Sequence, residues 1–388
     1  MGDPATAAGA TGRPAWVDTF RIQLLALAGA LLFAAVVGGI IIASFGENPL
    51  TVYRVLWTFS TSRLSDFGKV LEIATPLIYS ALAVAVAFKA GMFNIGVEGQ
   101  YFVAMVTASA VALALEVPAV IHLPLVVLAA VIGGVVWAAI PAILKVKTGA
   151  HEVVTTIMMN GIAVSLVAWA LLHPLRTGRG GLVDLRSDQF PDTALVPSLG
   201  STFGLEEQLP GSVHLTWLFP LALVAALLVW FLLYRTRLGF ETRAVGSAPG
   251  AAEAGGVSIG ATQIKVFVLS GALAGFVGLN HLLGDAGFLG ANYETQLGFT
   301  GIAVAFLGRN SPFGIVVAAI ALGLLNRGED GLALVTDLPR EIVIILEGLL
   351  ILSVVIAYEI TRRIVLRRRQ REVRSEEGAI GGASGAPA

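Results

Sequence analysis

The chain has 388 residues, of which 56% are hydrophobic and 13% charged, with 25 Lys+Arg against 26 Asp+Glu. Soluble domains carry about 25% charged residues, so this composition, with a mean hydropathy of +0.82, excludes an ordinary soluble protein and specifies an all-α, polytopic membrane protein. There is no cysteine, which excludes disulfides, thiol catalysis and thiolate metal sites.

Residues 1–20 are rich in Ala, Gly, Thr and Pro and read as a disordered arm. Uncharged or nearly uncharged runs then follow at 22–46, 73–88, 99–115, 117–144, 153–175, 208–234, 266–284, 295–308, 310–326 and 342–358. The first is too long for a signal-peptide core and reads as a retained helix. The run 295–308 is short for a span of about 20 residues and reads as a half-helix or re-entrant segment joined to the next. Ten alternating spans starting inside place seventeen of the 25 Lys+Arg inside and eight outside. That bias puts both termini in the cytosol. The membrane domain covers 21–362. Residues 363–388 form a basic, then Gly/Ala-rich cytosolic tail, whose arginines meet anionic headgroups and fix orientation.

Two connections are long. The outer one, 174–210, carries Asp184, Asp188, Asp192, Glu206 and Glu207; it is either a solvated loop or a surface for a delivery protein. The inner one, 235–262, holds a short small-residue helix at Ala251–Ala254 with Gly255 and Gly256 as its stop. It is either a linker or a place where another protein docks closely. Two weakly similar halves are visible, each with a glycine-rich polar entry followed by a small-residue apolar run: Phe93–Ala110 and Phe299–Leu322. Paired broken segments of this kind point to a binding site between them.

The chemistry-bearing stretch is Gly91-Met-Phe-Asn-Ile-Gly-Val-Glu-Gly-Gln100. A charge at membrane depth costs about 2.5–3.5 kcal/mol on insertion scales and marks a pathway or a partner. Glu98 therefore either lines a pathway or holds the broken segment as a hydrogen-bond hub. Asn94 and Gln100 can meet hydroxyls or base edges, and Phe93 can stack on a planar ring or simply pack. Helical rise puts Glu98 about 12 Å above the inner end of its span, so a re-entrant path is needed to bring it to the centre. In Gly149-Ala-His-Glu-Val-Val-Thr-Thr-Ile-Met-Met-Asn160, Thr156 and Asn160 are i, i+4 on one helix face. They either wall a cavity or bond helix to helix. His151-Glu152 lacks the second histidine of a zinc-protease helix, and no metal site is expected. Glu347 lies in the last span as a proton site or a buried pair, and Asn280, His281 and Asp285 face the outer vestibule. No nucleophile–base set is present, so the chain is not an enzyme. No G-x-x-x-x-G-K-[ST] loop occurs; if ATP drives this protein, another chain binds it.

Gly91–Gln100 and Glu152–Asn160 resemble the two hallmark segments of permease subunits of nucleoside-type (simple-sugar-like) ABC importers, within the ribose and branched-chain amino acid permease superfamily. Arg243-Ala-Val-Gly246 with Ala252, Glu253, Gly255, Gly256 and Val257 resembles that family's cytosolic coupling loop. Ser270–Gly275 and Gly301–Gly314 resemble its later segments, so the likeness covers roughly 20–360. It departs at Thr300, where an acidic residue is expected. The resemblance implies an importer of the bacterial plasma membrane working by alternating access. Its expected partners are a homologous permease subunit, an ABC ATPase that binds ATP and Mg, an extracytoplasmic substrate-binding (lipo)protein and membrane lipid, with no nucleic acid and no cofactor on this chain. The pathway set is then Phe93, Asn94, Glu98, Gln100, Thr156, Asn160, Phe299 and Thr300. The ligand is a nucleoside, with simple sugars or branched-chain amino acids as alternatives, and an ion-coupled secondary transporter as the rival mechanism.

Overall fold

The computed structural model describes residues 15–176, 185–336, 338–339 and 341–383, and among them two isolated antiparallel bridges, Arg186 with Gly290 and Ser198 with Thr216, stand in place of any strand. The helices are α1 (Ala15–Ser44), α2 (Pro49–Thr61), α3 (Leu64–Lys89), α4 (Val97–Ala114), α5 (Ala119–Thr148), α6 (Glu152–Leu172), α7 (Leu199–Phe203), α8 (Leu218–Arg235), α9 (Arg237–Ser247), α10 (Pro249–Ala254), α11 (Ile259–Ala274), α12 (Leu297–Leu307), α13 (Pro312–Val335) and α14 (Glu341–Ala383). A 3₁₀ turn at Asp192–Ala194 and a π turn at Asn280–Ala286 complete the order.

Each of the ten apolar runs contains a helix. Seven helices of the described residues are long and apolar enough to cross a bilayer alone, or up to eight if the bent pair α1–α2 counts as one span. The shortfall from ten lies in α11, of 16 residues, and α12, of 11. The run 266–284 turns at Gly275 into the π turn, and the run 295–308 stops at Gly308, where Arg309 and Asn310 take positive φ. Helix also extends into the expected arm and tail, since α1 starts at Ala15 and α14 continues to Ala383. Arg, Glu, Gln and Ala, all good helix formers, make up most of the tail stretch 363–383. Residues 1–14 and 384–388 of the arm and tail lie outside the described residues.

The helices divide into two compact units. One pairs α1 with α14. The other runs from Val52 to α13 and is built on α3, which packs against α8, α11, α12 and α13. From Ala74 to Ala87 every residue of α3 is buried. A helix that is apolar all round belongs in the centre of a bundle. α4 packs on α5 and α6, and α5 on α11. The α5–α11 crossing is set by small residues four apart, Ala130, Gly134 and Ala138 facing Gly271 and Gly275, so that the backbones touch. Exposed apolar side chains run along the far faces of α5, α6 and α8, among them Ile132, Val136, Ile157, Met158, Leu228 and Phe231.

The long connection 174–210, which also includes 177–184 outside the described residues, is docked along 187–196 and exposed along most of 201–210, with Asp188, Asp192, Glu206 and Glu207 facing outward from the protein surface. Backbone bonds tie Ser187 to Leu289, Phe190 to Gly287 and Val196 to Leu283. Phe190, Ala194 and Val196 are buried, and the Thr193 hydroxyl lies 2.8 Å from Nδ1 of His122 on α5.

The glycine crossing generates a test. Gly134→Val would drive a side chain into the Gly271 carbonyl, and overpacking of this kind costs about 1–3 kcal/mol. The purified variant should unfold several degrees lower in detergent, while Gly161→Ala, which meets nothing within 4 Å, should melt as the parent does.

Candidate functional site

The site begins where α3 ends. The amide of Met92 donates to Ala87 O and that of Gly91 to Phe88 O, with Gly91 at φ +71°. This is a Schellman close, which needs a residue that enters the left-handed region without strain. The chain then doubles back along α3. Asn94 Nδ2 donates to Ser270 Oγ (2.8 Å), which in turn donates to the carbonyl of Ala83 within α3 (2.7 Å). A little further on, α4 starts beside Ser80, whose hydroxyl donates to Leu297 O at the head of α12. Ser80 lies ~14 Å of helical rise from Lys89. The re-entrant path thus brings the start of α4 to the middle of α3.

Asn94 is 1% exposed and uses its whole bonding capacity. Its Oδ1 accepts from Gly96 N and Gln100 Nε2, and its Nδ2 donates to Gln100 Oε1 and Ser270 Oγ. Two amide side chains thereby pair face to face inside the protein, where an unmatched polar group costs roughly 1–3 kcal/mol.

Glu98, 5% exposed, carries the central arrangement. It stands in the first turn of α4, and its carboxylate reaches the first turn of α12. Oε1 accepts from the amide of Gln296 (2.6 Å) and Oε2 from that of Gly298 (2.7 Å). The Tyr101 hydroxyl lies 3.0 Å from Oε1 and also 3.0 Å from Glu294 O, so its single proton serves one at a time. Each helix start carries roughly half a positive charge on its unpaired N–H groups. The carboxylate fills the start of α12, while the start of α4 is filled by Asn94 Oδ1 on Gly96 N and Asn160 Oδ1 on Gly99 N. A Cβ at Gly298 would lie 2.5 Å from Glu98 N, so α12 approaches this closely only through glycine.

The second segment braces the first. Asn160 Oδ1 accepts from Gly99 N (2.9 Å) and its Nδ2 donates to Ile95 O (3.0 Å), clamping the re-entrant chain to α6. Thr156 is fully buried and bonds back to Glu152 O, one turn away. It packs at Gly96, where a Cβ would lie 3.0 Å from Thr156 Cβ. Glu152 is held by Lys145 (2.5 Å). Phe93, Phe88 and Phe306 form an aromatic cluster with centroids 5.3–6.2 Å apart. Phe299 is 43% exposed and shares a face of α12 with Phe306, while Thr300 is half-buried. The six polar and aromatic residues from 93 to 160 are thus brought together with the start of α12. The polar side chains look inward to protein partners, and the phenyl rings present the accessible surface.

At the Lys89 end of α3, Thr236 caps α9 by accepting from Gly239 N. α10 closes as a second Schellman turn, with Val257 N bonded to Ala252 O, Gly256 N to Glu253 O, and Gly256 at φ +81°. Ala252 is buried; Glu253, Gly255 and Gly256 are exposed. Gly246 touches the α3 terminus, and a Cβ there would strike the Lys89 carbonyl and come within 3.0 Å of Gly91 N. The Arg243 guanidinium lies 5.3 Å above the Tyr234 ring. At the opposite end, Asp285 bridges His281 and His214, each at 3.2 Å, and Asn280 accepts from Thr216.

Sequence reasoning missed Tyr101, Ser270 and the amides of Gln296 and Gly298. Tyr101 was detectable as an i+3 neighbour of Glu98 on one helix face. The others come from segments 170 or more positions away, and no local pattern joins them to Glu98.

Residues 67–355 match the family described as branched-chain amino acid transport system / permease component. Among curated proteins, the chain is 35% identical to the guanosine ABC transporter permease protein of Bacillus subtilis, over 85% of this chain and 92% of that one. It is 34% identical to the glucose ABC transporter permease protein of Haloferax volcanii, over 88% of each. It is 33% identical to a nucleoside ABC transporter permease protein of Lactococcus lactis, over 85% of this chain and 90% of the other.

The carboxylate hub generates a stability test. Glu98→Gln keeps one acceptor oxygen and sets an NH₂ against a backbone N–H of α12, leaving a buried donor unmatched at roughly 1–3 kcal/mol. The purified variant should melt at a clearly lower temperature, and Asn94→Ala should do the same. An unchanged melting point for Glu98→Gln would remove the carboxylate from its place as the link between α4 and α12.

Proposed function

The chain belongs to the family described as branched-chain amino acid transport system / permease component, and from that premise we propose that it is the membrane subunit of an ATP-driven nucleoside importer working by alternating access. The observation that carries the ATP-driven part is the occupancy of Glu98. An ion-coupled carrier needs a carboxylate free to take up and release its ion at the pathway. Both oxygens of Glu98 already accept backbone N–H groups. That occupancy supports an energy source outside the bundle, acting through α9 and α10 at the Lys89 end.

In this reading α9–α10 receive a separate ABC ATPase, which binds ATP and Mg. A homologous permease subunit completes the pathway, and an extracytoplasmic binding (lipo)protein delivers ligand at the end where the outer connection docks. The chain sits in the plasma membrane with both termini cytosolic, as the distribution of Lys and Arg supports. Glu98, Asn94, Gln100, Thr156 and Asn160 hold the re-entrant wall in shape. Phe93, Phe299 and Thr300 face the ligand. Exposed phenyl rings suit a planar base, and Thr300 supplies a neutral hydroxyl where a zwitterionic amino acid would need a charge. The names of the guanosine and nucleoside permeases support a nucleoside; the glucose permease, at similar identity, makes a simple sugar the second reading.

The test is uptake of labelled guanosine, glucose and leucine into cells carrying this chain with its neighbouring subunits, with an intact or a catalytically dead ATPase. Guanosine uptake that needs the intact ATPase and is competed by other nucleosides is the expected result. Glucose or leucine uptake instead would replace the substrate, and uptake indifferent to the dead ATPase would overturn the mechanism. Within the expected result, Phe299→Ala should raise the guanosine concentration for half-maximal uptake by up to about tenfold, the value of an aromatic pair.

A further inference from the structure

Two histidines share one carboxylate at the end of the bundle opposite Lys89. Oδ2 of Asp285 faces Nδ1 of His281 and its Oδ1 faces Nε2 of His214, each at 3.2 Å. His281 and Asp285 stand in the π turn, whereas His214 lies on the segment that enters α8. The bridge continues into α3, because the His214 amide donates to Glu72 Oε2 (2.8 Å) and Lys69 Nζ donates to Glu72 Oε1 (2.7 Å). The charged groups around the pair are thus Lys69 and Glu72 of α3 and, on the segment leading to α12, Glu294, which lies within electrostatic range of His281 and Asp285. On the docked connection, Asp188 and Asp192 are exposed and Arg186 lies 5.0 Å above the Phe288 ring.

The backbone gives this cluster its significance. The π turn and the residues after it hold the outer connection: Val196 N donates to Leu283 O, Phe190 N to Gly287 O and Ser187 N to Leu289 O. Thr216, two residues beyond His214, donates to Asn280 Oδ1 (3.0 Å). Further along, the Glu294 carbonyl lies 3.0 Å from the Tyr101 hydroxyl and the Gln296 amide donates to Glu98. One stretch of chain therefore links the histidines, the outer connection and the Glu98 hub. Its π geometry is a rare form that recurs at functional sites.

The side chains of His281, His214 and Asp285 are 25%, 30% and 41% exposed, so protons reach them from the water at that end. Histidine is the side chain that changes charge near neutrality. A neutral ring gives Asp285 an ordinary hydrogen bond; a protonated ring gives a charge-assisted one, roughly twice as strong. We propose that His214, His281 and Asp285 form a proton-operated latch on the outer mouth. Acid fastens the π turn to the segment before α8 and holds the outer connection down, so the mouth opens less readily; mild alkali loosens it. The bearing on uptake rests on the importer reading above, whereas the latch itself is measured without it.

The first measurement is hydrogen exchange on the full-length permease in nanodiscs between about pH 8 and about pH 5.5, the span in which histidine titrates, with each rate divided by the intrinsic rate at that pH. Protection of the Ser187, Phe190 and Val196 amides should rise about fivefold toward acid in the parent, the difference between a neutral and a charged hydrogen bond. It should stay flat in H214Q/H281Q, whose side-chain amides still donate to Asp285, and in D285N, which keeps both histidines and carries the comparison if the double variant folds poorly. A flat parent, or a rise that survives in either variant, would overturn the proposal. The second measurement is guanosine uptake by the assembled importer. ATP-dependent uptake by the parent at about pH 8 checks the importer reading on its own. Uptake should then fall toward acid severalfold more in the parent than in H214Q/H281Q, and an equal fall in the two would likewise overturn the latch.

Discussion

The structure turns on one carboxylate shared by two helix starts. Glu98 is placed by the first turn of α4 and takes its bonds from the first turn of α12. Neither helix reaches the middle of the bundle as part of an uninterrupted span. Each would present bare N–H groups in a medium without water to satisfy them, and irregular backbone at that depth survives only when protein supplies the partners. The negative charge is stable there because it lies at the positive start of α12 and in the first turn of α4; in return it fills the amides of α12, while Asn94 and Asn160 fill those of α4. The costs cancel only as a set.

The surrounding contacts follow from that centre. Asn94 and Gln100 close the bend that delivers Glu98, Ser270 fastens the bend to α3 and α11, and Asn160 fastens it to α6. Glycines at 99 and 298 let the backbones come within bonding range. Polar side chains are spent on holding shape, so the exposed surface of the re-entrant region and of α12 is aromatic and neutral. That division of labour suits a permeant that is carried without charge pairing, and the α9–α10 hairpin touches the start of the bend through Gly246.

The sequence by itself determined much of this. Composition required a helical membrane bundle, because 13% charge cannot solvate a globular surface. Ten apolar runs located the ten helices that carry them. The cost of a carboxylate in an apolar stretch singled out Glu98, and spacing paired Thr156 with Asn160. The glycine stop of α10 was legible because αL geometry selects glycine locally. Tertiary structure decided the rest. Helix lengths alone could not show that α4 and α12 start at mid-bundle, since both are set by backbone contacts between distant segments. That residues 187–196 are docked depends on pairing with 283–291, and that Glu98 bonds the start of α12 depends on amides nearly 200 residues away. Local pattern fixes which groups are expensive to bury; only the fold decides which partner relieves them.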